Sequence, residues 1–131
     1  MSAILLDTHA WVWSLMDPSR LSDGVKAAIL GADSVHVSPI SAYEIARKAQ
    51  RGKWPEIAPH LDSLVADGQT VAAPLTRAIA VRAGTLEWSH RDPFDRLIGA
   101  TAIELAYPLV SKDGAFDALE GTVGWRGRVW S

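Results

Sequence analysis

The chain has 131 residues, 48% hydrophobic and 21% charged, which suits one compact domain with a buried core and is too short for two. Its formal charge of −2 excludes a generally basic nucleic-acid binder, and the absence of cysteine excludes disulfides and thiolate metal sites. No apolar run approaches the roughly 20 residues of a membrane span and no leader pattern is read at the start, so a cytoplasmic protein without membrane association is expected.

Ala3 to Leu6 reads as a short apolar strand and Thr8 to Met16 as a helix stopped by Asp17-Pro18. Ser22 caps a helix running to about Leu30, with Gly31 as its stop. Val35 to Ser38 is a second strand. Ser41 to Gln50 is a helix in which Ser41 as N-cap and Glu44 three residues later have the form of a capping box. A helix over Ile57 to Ala66, a strand over Thr70 to Ala73 and helices over Thr76 to Glu87 and Pro93 to Ala106 follow. Pro108 to Ser111 is the fourth strand, Gly114 to Leu119 a short helix, and Val129-Trp130 closes the sheet. Strands separated by helices pair in parallel through right-handed crossovers, so the expected fold class is α/β: a three-layer α/β/α sandwich around a mainly parallel five-stranded sheet.

Open sheets of this kind bind ligands beyond the carboxyl ends of their strands. Asp7 follows the first strand directly and Asp113 follows the fourth. Glu44 opens the helix after the second strand, and Asp95 lies in the first turn of the helix leading to the fourth. Each has a local reading as well. Asp7 can cap a helix, Glu44 can complete its capping box, Asp95 can answer the helix dipole behind Asp92-Pro93, and Asp113-Gly114 can be a turn. Together they crowd four carboxylates at one sheet edge, which raises their pKa values unless a cation is present. Oxygen donors without thiolates suit Mg²⁺ (or Mn²⁺).

The segments L-L-D-T-H-A-W, S-A-Y-E-I, H-R-D-P-F-D-R-L-I-G-A-T-A and S-K-D cover nearly the whole chain. In this order they resemble the PIN domain and, within it, the VapC-type toxins of bacterial toxin–antitoxin pairs. The resemblance implies a single PIN domain over residues 1–131, a strand order of 3-2-1-4-5, and a Mg²⁺- or Mn²⁺-dependent endoribonuclease that hydrolyses RNA phosphodiester bonds as the toxin of a type II system. The acidic quartet of that family maps onto Asp7, Glu44, Asp95 and Asp113, as catalytic and metal-binding residues. Ser111 and Asp92 are candidates to support the ligands. The implied partners are an RNA substrate, a VapB-type antitoxin whose C-terminal segment lies in an apolar groove and reaches the acidic site, and a second copy forming a homodimer.

Arg47, Lys48 and Arg51 follow Glu44 along its helix, and Arg91, Arg96 and Lys112 flank the acidic motifs. All six are candidate contacts to RNA or antitoxin, although Lys48 also stands at the i,i+4 spacing that pairs it with Glu44. His9 reads as a structural or surface residue. Trp11 and Trp13 lie roughly 200° apart around a helix and cannot face the same core. Two alternatives use the same residues: a catalytically silent PIN-fold binding module, and an acidic-pocket metal-binding signalling domain. The second wants another acidic residue close to Asp7, where this chain has His9.

Overall fold

The computed structural model describes residues 2–131. Five strands, β1 (Ala3–Leu6), β2 (Ser34–Val37), β3 (Val71–Ala72), β4 (Leu109–Val110) and β5 (Arg128–Val129), form one sheet in the order β3-β2-β1-β4-β5 with every pairing parallel. Six α-helices connect and cover it: α1 (Thr8–Met16), α2 (Asp23–Gly31), α3 (Pro39–Gln50), α4 (Leu61–Val65), α5 (Arg77–Thr85) and α6 (Pro93–Leu105). A 3-10 segment, Gly114–Leu119, follows β4. None of these helices is long and apolar enough to cross a membrane.

β1 lies at the centre, and its alternation divides the core. Ile4 and Leu6 face one layer with Trp11, Val12, Val25 and Ile45, whereas Leu5 faces the other with Ile98, Leu109 and Phe116. A central parallel strand buried on both sides explains why Ala3–Leu6 carries no polar residue. Helix starts are set by short polar side chains. Asp7, Ser22, Ser38, Thr76 and Asp92 each accept a bond from a backbone N–H in the first turn of the helix that follows.

Several expected boundaries move. α3 begins at Pro39, with Ser38 as its cap, so Ser41 is buried inside the first turn and Glu44 falls in the second; the Ser41–Glu44 capping box does not form. Proline at the first helical position explains the shift, because its fixed φ and missing N–H fit there. The helix expected over Ile57 to Ala66 is split into a 3-10 turn at Ala58–His60 and the short α4, with Pro59 interrupting the hydrogen-bond ladder. β3, β4 and β5 pair over only two residues each.

After the 3-10 segment the chain turns at Gly124, whose φ is 98° and whose added Cβ would stand 2.6 Å from the Ile103 carbonyl oxygen. Both the left-handed backbone and the close approach to α6 demand glycine. Gly124→Ala is expected to destabilise the protein by about 2 kcal/mol or more, read as a lower midpoint in urea with an unchanged slope.

Candidate active site

The carboxyl ends of β1 and β4 lie side by side: Leu6 pairs with Val110, and the Asp7 N–H donates to the Val110 carbonyl at 3.0 Å. This register brings Asp7 and the Ser111–Asp113 turn together. Asp7 is only 7% exposed and does two things, since its Oδ1 also accepts from the Ala10 N–H at 2.8 Å to cap α1. Burial pushes its pKa up to about 6, against the lowering effect of bonds from the Ser111 hydroxyl and Ala10 N–H, and the charges of Glu44 and Asp113 push it further. Ser111 is fully buried, and its Oγ accepts from the Asp113 N–H at 3.0 Å. Ser111 thus braces the turn that carries Asp113.

Glu44 is buried beneath this edge, with both carboxylate oxygens engaged. Thr8 Oγ1 donates to Oε1 at 2.6 Å, and Lys48 Nζ stands 2.8 Å from Oε2. The Thr8 hydroxyl has one proton; with Glu44 taking it, Ser41 Oγ at 2.9 Å donates to Thr8. Lys48 also lies 5.1 Å above the Trp54 ring. Its place is beside Glu44, at the i,i+4 spacing.

Asp95 occupies the first turn of α6, and its Oδ2 is 2.7 Å from His90 Nε2. Burial raises its pKa against the hydrogen bond from His90, and Asp92 and Asp113 raise it further. Asp113 caps the 3-10 segment by accepting from the Ala115 N–H at 2.9 Å. One donor atom from each of His90, Asp95 and Asp113 lies within 4.8 Å of the others. Asp7 and Glu44 lie outside this trio but are coupled to it, Glu44 to Asp7 and Asp7 to Asp113. The four carboxylates therefore form a chain of neighbouring charges, Glu44, Asp7, Asp113 and Asp95, rather than one tight ring.

His90 was not assigned a role from sequence. The only available signal was its place at the head of the H-R-D-P-F-D run, five residues before Asp95. Trp88 packs on its ring at a centroid distance of 4.9 Å. His9 sits at the rim against Trp13 and Trp54, within the field of Glu44, Asp95 and Asp113. Asp92 accepts from the Phe94 N–H at 2.9 Å and is the cap of α6.

Arg96 corrects one expectation. It donates to four backbone carbonyls, those of Ala83, Leu86, Trp88 and His90, at 2.7 to 3.0 Å, so its guanidinium is committed to holding the α5–α6 connection and is not a contact for RNA or antitoxin. Arg47, Arg51, Arg91 and Lys112 are exposed.

The family model of the PIN domain matches residues 4–121. The chain belongs to the PIN-domain family. This PIN domain is 38% identical over 115 residues to Ribonuclease VapC22 of Mycobacterium tuberculosis, an alignment covering 86% of the chain and 88% of that relative. Its fold is similar to a VapBC-5 toxin–antitoxin structure from Mycobacterium tuberculosis (TM-score 0.69, 23% identity, 98% of this chain and 100% of that one). It is also similar to VapBC2 from Rickettsia felis bound to a promoter DNA fragment (TM-score 0.70, 14% identity, 98% and 99% coverage).

Proposed function

We propose that this PIN domain is a divalent-metal-dependent endoribonuclease and the toxin of a type II toxin–antitoxin pair, acting in the cytoplasm on RNA and held by a VapB-type antitoxin. The observation that carries the reading is a buried Asp7 coupled to Asp113 and Glu44 at the carboxyl edge of β1 and β4, with Asp95 and His90 closing the other side. The relative named a ribonuclease, matched over nearly the full length of both chains, supports the substrate class. The toxin–antitoxin neighbours support the partner, and a homodimer belongs to the same proposal.

The donor set fits Mg²⁺ or Mn²⁺. All four acidic side chains offer hard oxygens, and two of them, Asp7 and Asp95, have raised pKa values that a nearby cation would relieve. Asp95, Asp113 and Asp7 would hold the ion. Bound there, it supplies Lewis acidity to the scissile phosphate and a water of lowered pKa.

The chain's own residues prepare that chemistry. The Ala10 N–H at the start of α1 holds the Asp7 carboxylate in place. His90 holds Asp95 through Nε2. Lys48 and Thr8 aim Glu44, whose carboxylate can order an attacking water at the deep end of the cleft. Asp92 and Ser111 support these groups as a helix cap and as a tether.

Incubating the purified protein with structured and unstructured RNAs tests the reading. Cleavage is expected with Mn²⁺ or Mg²⁺, with its loss in chelator and its return on metal addition. A protein that cuts no RNA with either ion, while Mn²⁺ leaves its melting temperature unchanged, would favour the silent binding module.

A further inference from the structure

The acidic side chains of the proposed metal site differ in how they are held. Asp7 is buried at a strand end and Asp95 lies in the first turn of α6 against His90, but Asp113 is exposed on the turn between β4 and the 3-10 segment. An exposed carboxylate on a turn aims at a fixed point only if the turn itself is fixed. The bonds from the Asp113 N–H to Ser111 Oγ and from the Ala115 N–H to Asp113 Oδ1 set the shape of the turn. Its place against the sheet is set by what holds its two ends.

Arg128, the first residue of β5, holds both. β5 runs beside β4 with Leu109 opposite Arg128, and the Ser111 N–H donates to the Val129 carbonyl at 3.2 Å. From this strand the guanidinium donates through Nη1 to the Ser111 carbonyl at 3.1 Å, and through Nε and Nη2 to Oδ1 and Oδ2 of Asp117, each at 3.0 Å. Ser111 lies before Asp113 in the chain and Asp117 after it, so one planar fork spans the segment that carries the ligand. The two-oxygen grip on Asp117 fixes an orientation as well as a distance. Asp117 is exposed, and ion pairs at the surface contribute little to stability, so geometry is what this pair supplies.

We propose that Arg128 is a positioning residue for the metal: by bridging Ser111 and Asp117 it fixes the turn so that Asp113 meets the ion site beside Asp95. The inference rests on the metal-dependent nuclease reading and adds to it a residue remote from every acidic motif. Arg128 itself touches neither the ion nor RNA. Charge alone predicts the opposite sign of effect. The guanidinium lies within the field of Asp113 and repels a divalent cation there, so its removal would tighten metal binding if charge were what mattered. Positioning predicts weaker binding, because the carboxylate is no longer aimed in advance.

The test measures the Mn²⁺ affinity of the full chain from the electron paramagnetic resonance signal of the free ion. Arg128→Gln is expected to weaken Mn²⁺ binding by about tenfold. Arg128→Lys keeps the charge without the fork and should recover only a small part of the loss. Asp117→Asn should also weaken binding, and adding it to Arg128→Gln should change little further, because both cut the same bridge. In chelator, the Asp113 and Ala115 amides should lose hydrogen-exchange protection in Arg128→Gln. RNA cleavage should need about tenfold more Mn²⁺ for half its maximal rate, with KM for RNA unchanged at saturating metal. Thr76→Ala, which uncaps α5 at a distance from the turn, controls for general destabilisation and should leave Mn²⁺ affinity unaltered.

Mn²⁺ binding by Arg128→Gln as tight as that of the unsubstituted protein, or tighter, overturns the assignment. So do additive losses in the Arg128 and Asp117 variants, or an equal loss in Thr76→Ala. Should Arg128→Gln fail to fold, Asp117→Asn at its exposed position decides. Its loss of affinity should persist in about 0.5 M salt, where the field of an exposed carboxylate is screened, and a loss that vanishes there overturns the bridge. If the unsubstituted protein binds Mn²⁺ and cuts RNA while the Arg128 variants bind the ion normally, only this inference fails; if it binds no Mn²⁺ and cuts no RNA, the nuclease reading fails and takes this one with it.

Discussion

Asp7→Asn is expected to abolish metal-dependent RNA cleavage and, in the same protein, to raise the melting temperature of the metal-free chain at about pH 7.5. The two effects have one origin. The folded pKa of Asp7 stands at about 6 against an ordinary value of 3.8, so the folded protein holds this proton more tightly than the unfolded chain does. Its contribution to stability is fully present below about pH 3.8 and is lost as pH rises through about 6. A gap of about two units corresponds to about 3 kcal/mol of destabilisation once the carboxylate is ionised. Asparagine is neutral and still accepts the Ala10 N–H, so the cap on α1 survives while the charge is removed.

Melting curves of both proteins in chelator across pH check this. The curves should coincide below about pH 3.8, draw apart between there and about pH 6, and stay apart above it, with the variant higher. Mn²⁺ should raise the melting temperature of the unsubstituted protein near neutrality, less so in acid, and leave Asp7→Asn little changed. An Asp7→Asn protein that is less stable at every pH would reduce Asp7 to a helix cap.

The second large effect is expected at Arg96. Arg96→Ala strips the donors from four carbonyls in the α5–α6 connection, and leaving such groups without partners costs about 3–5 kcal/mol in all. Lysine cannot replace the planar fork that reaches several acceptors at once, so Arg96→Lys should recover only part of the loss. Activity should fall even in protein that remains folded, because the His90 backbone loses its tether and His90 is the partner of Asp95. Urea unfolding of Arg96→Ala beside the exposed neighbour Arg91→Ala makes the comparison. The latter should stay within about 0.5 kcal/mol of the unsubstituted protein, and equal values for the two would discard the clamp.

Arg96 also marks where the sequence stopped being readable. Beside an acidic motif, a free cation and a half-buried clamp are the same letter; only the path of residues 83–90 around the guanidinium decides between them. The strand order, by contrast, was legible through resemblance, and the alternation of strand and helix was legible from period and punctuation, since Ala3–Leu6 and Leu109–Val110 are apolar runs bounded by turn residues. A helix start was read correctly where a single capping residue was available, as at Ser22. The start of α3 was misread because Ser38-Pro39 and Ser41 compete for the cap, and proline geometry chose the first.

For the site, the four carboxylates were visible as residues that end strands or open helices. Their spacing was not. The trio of His90, Asp95 and Asp113 depends on a histidine in an irregular connection, where no periodicity indicates which way a side chain points. The commitment of both Glu44 oxygens, one to Thr8 and one to Lys48, likewise depends on how α1 and α3 cross.

The central position of β1 has a consequence for when the enzyme can act. Its neighbour across the cleft is β4, and the turn after β4 supplies Asp113, more than a hundred positions downstream of Asp7. A chain still emerging from the ribosome holds Asp7, Glu44 and Asp95 but lacks the strand that completes the cluster. The acidic edge is therefore complete only once the strand that leads into Asp113 lies beside β1.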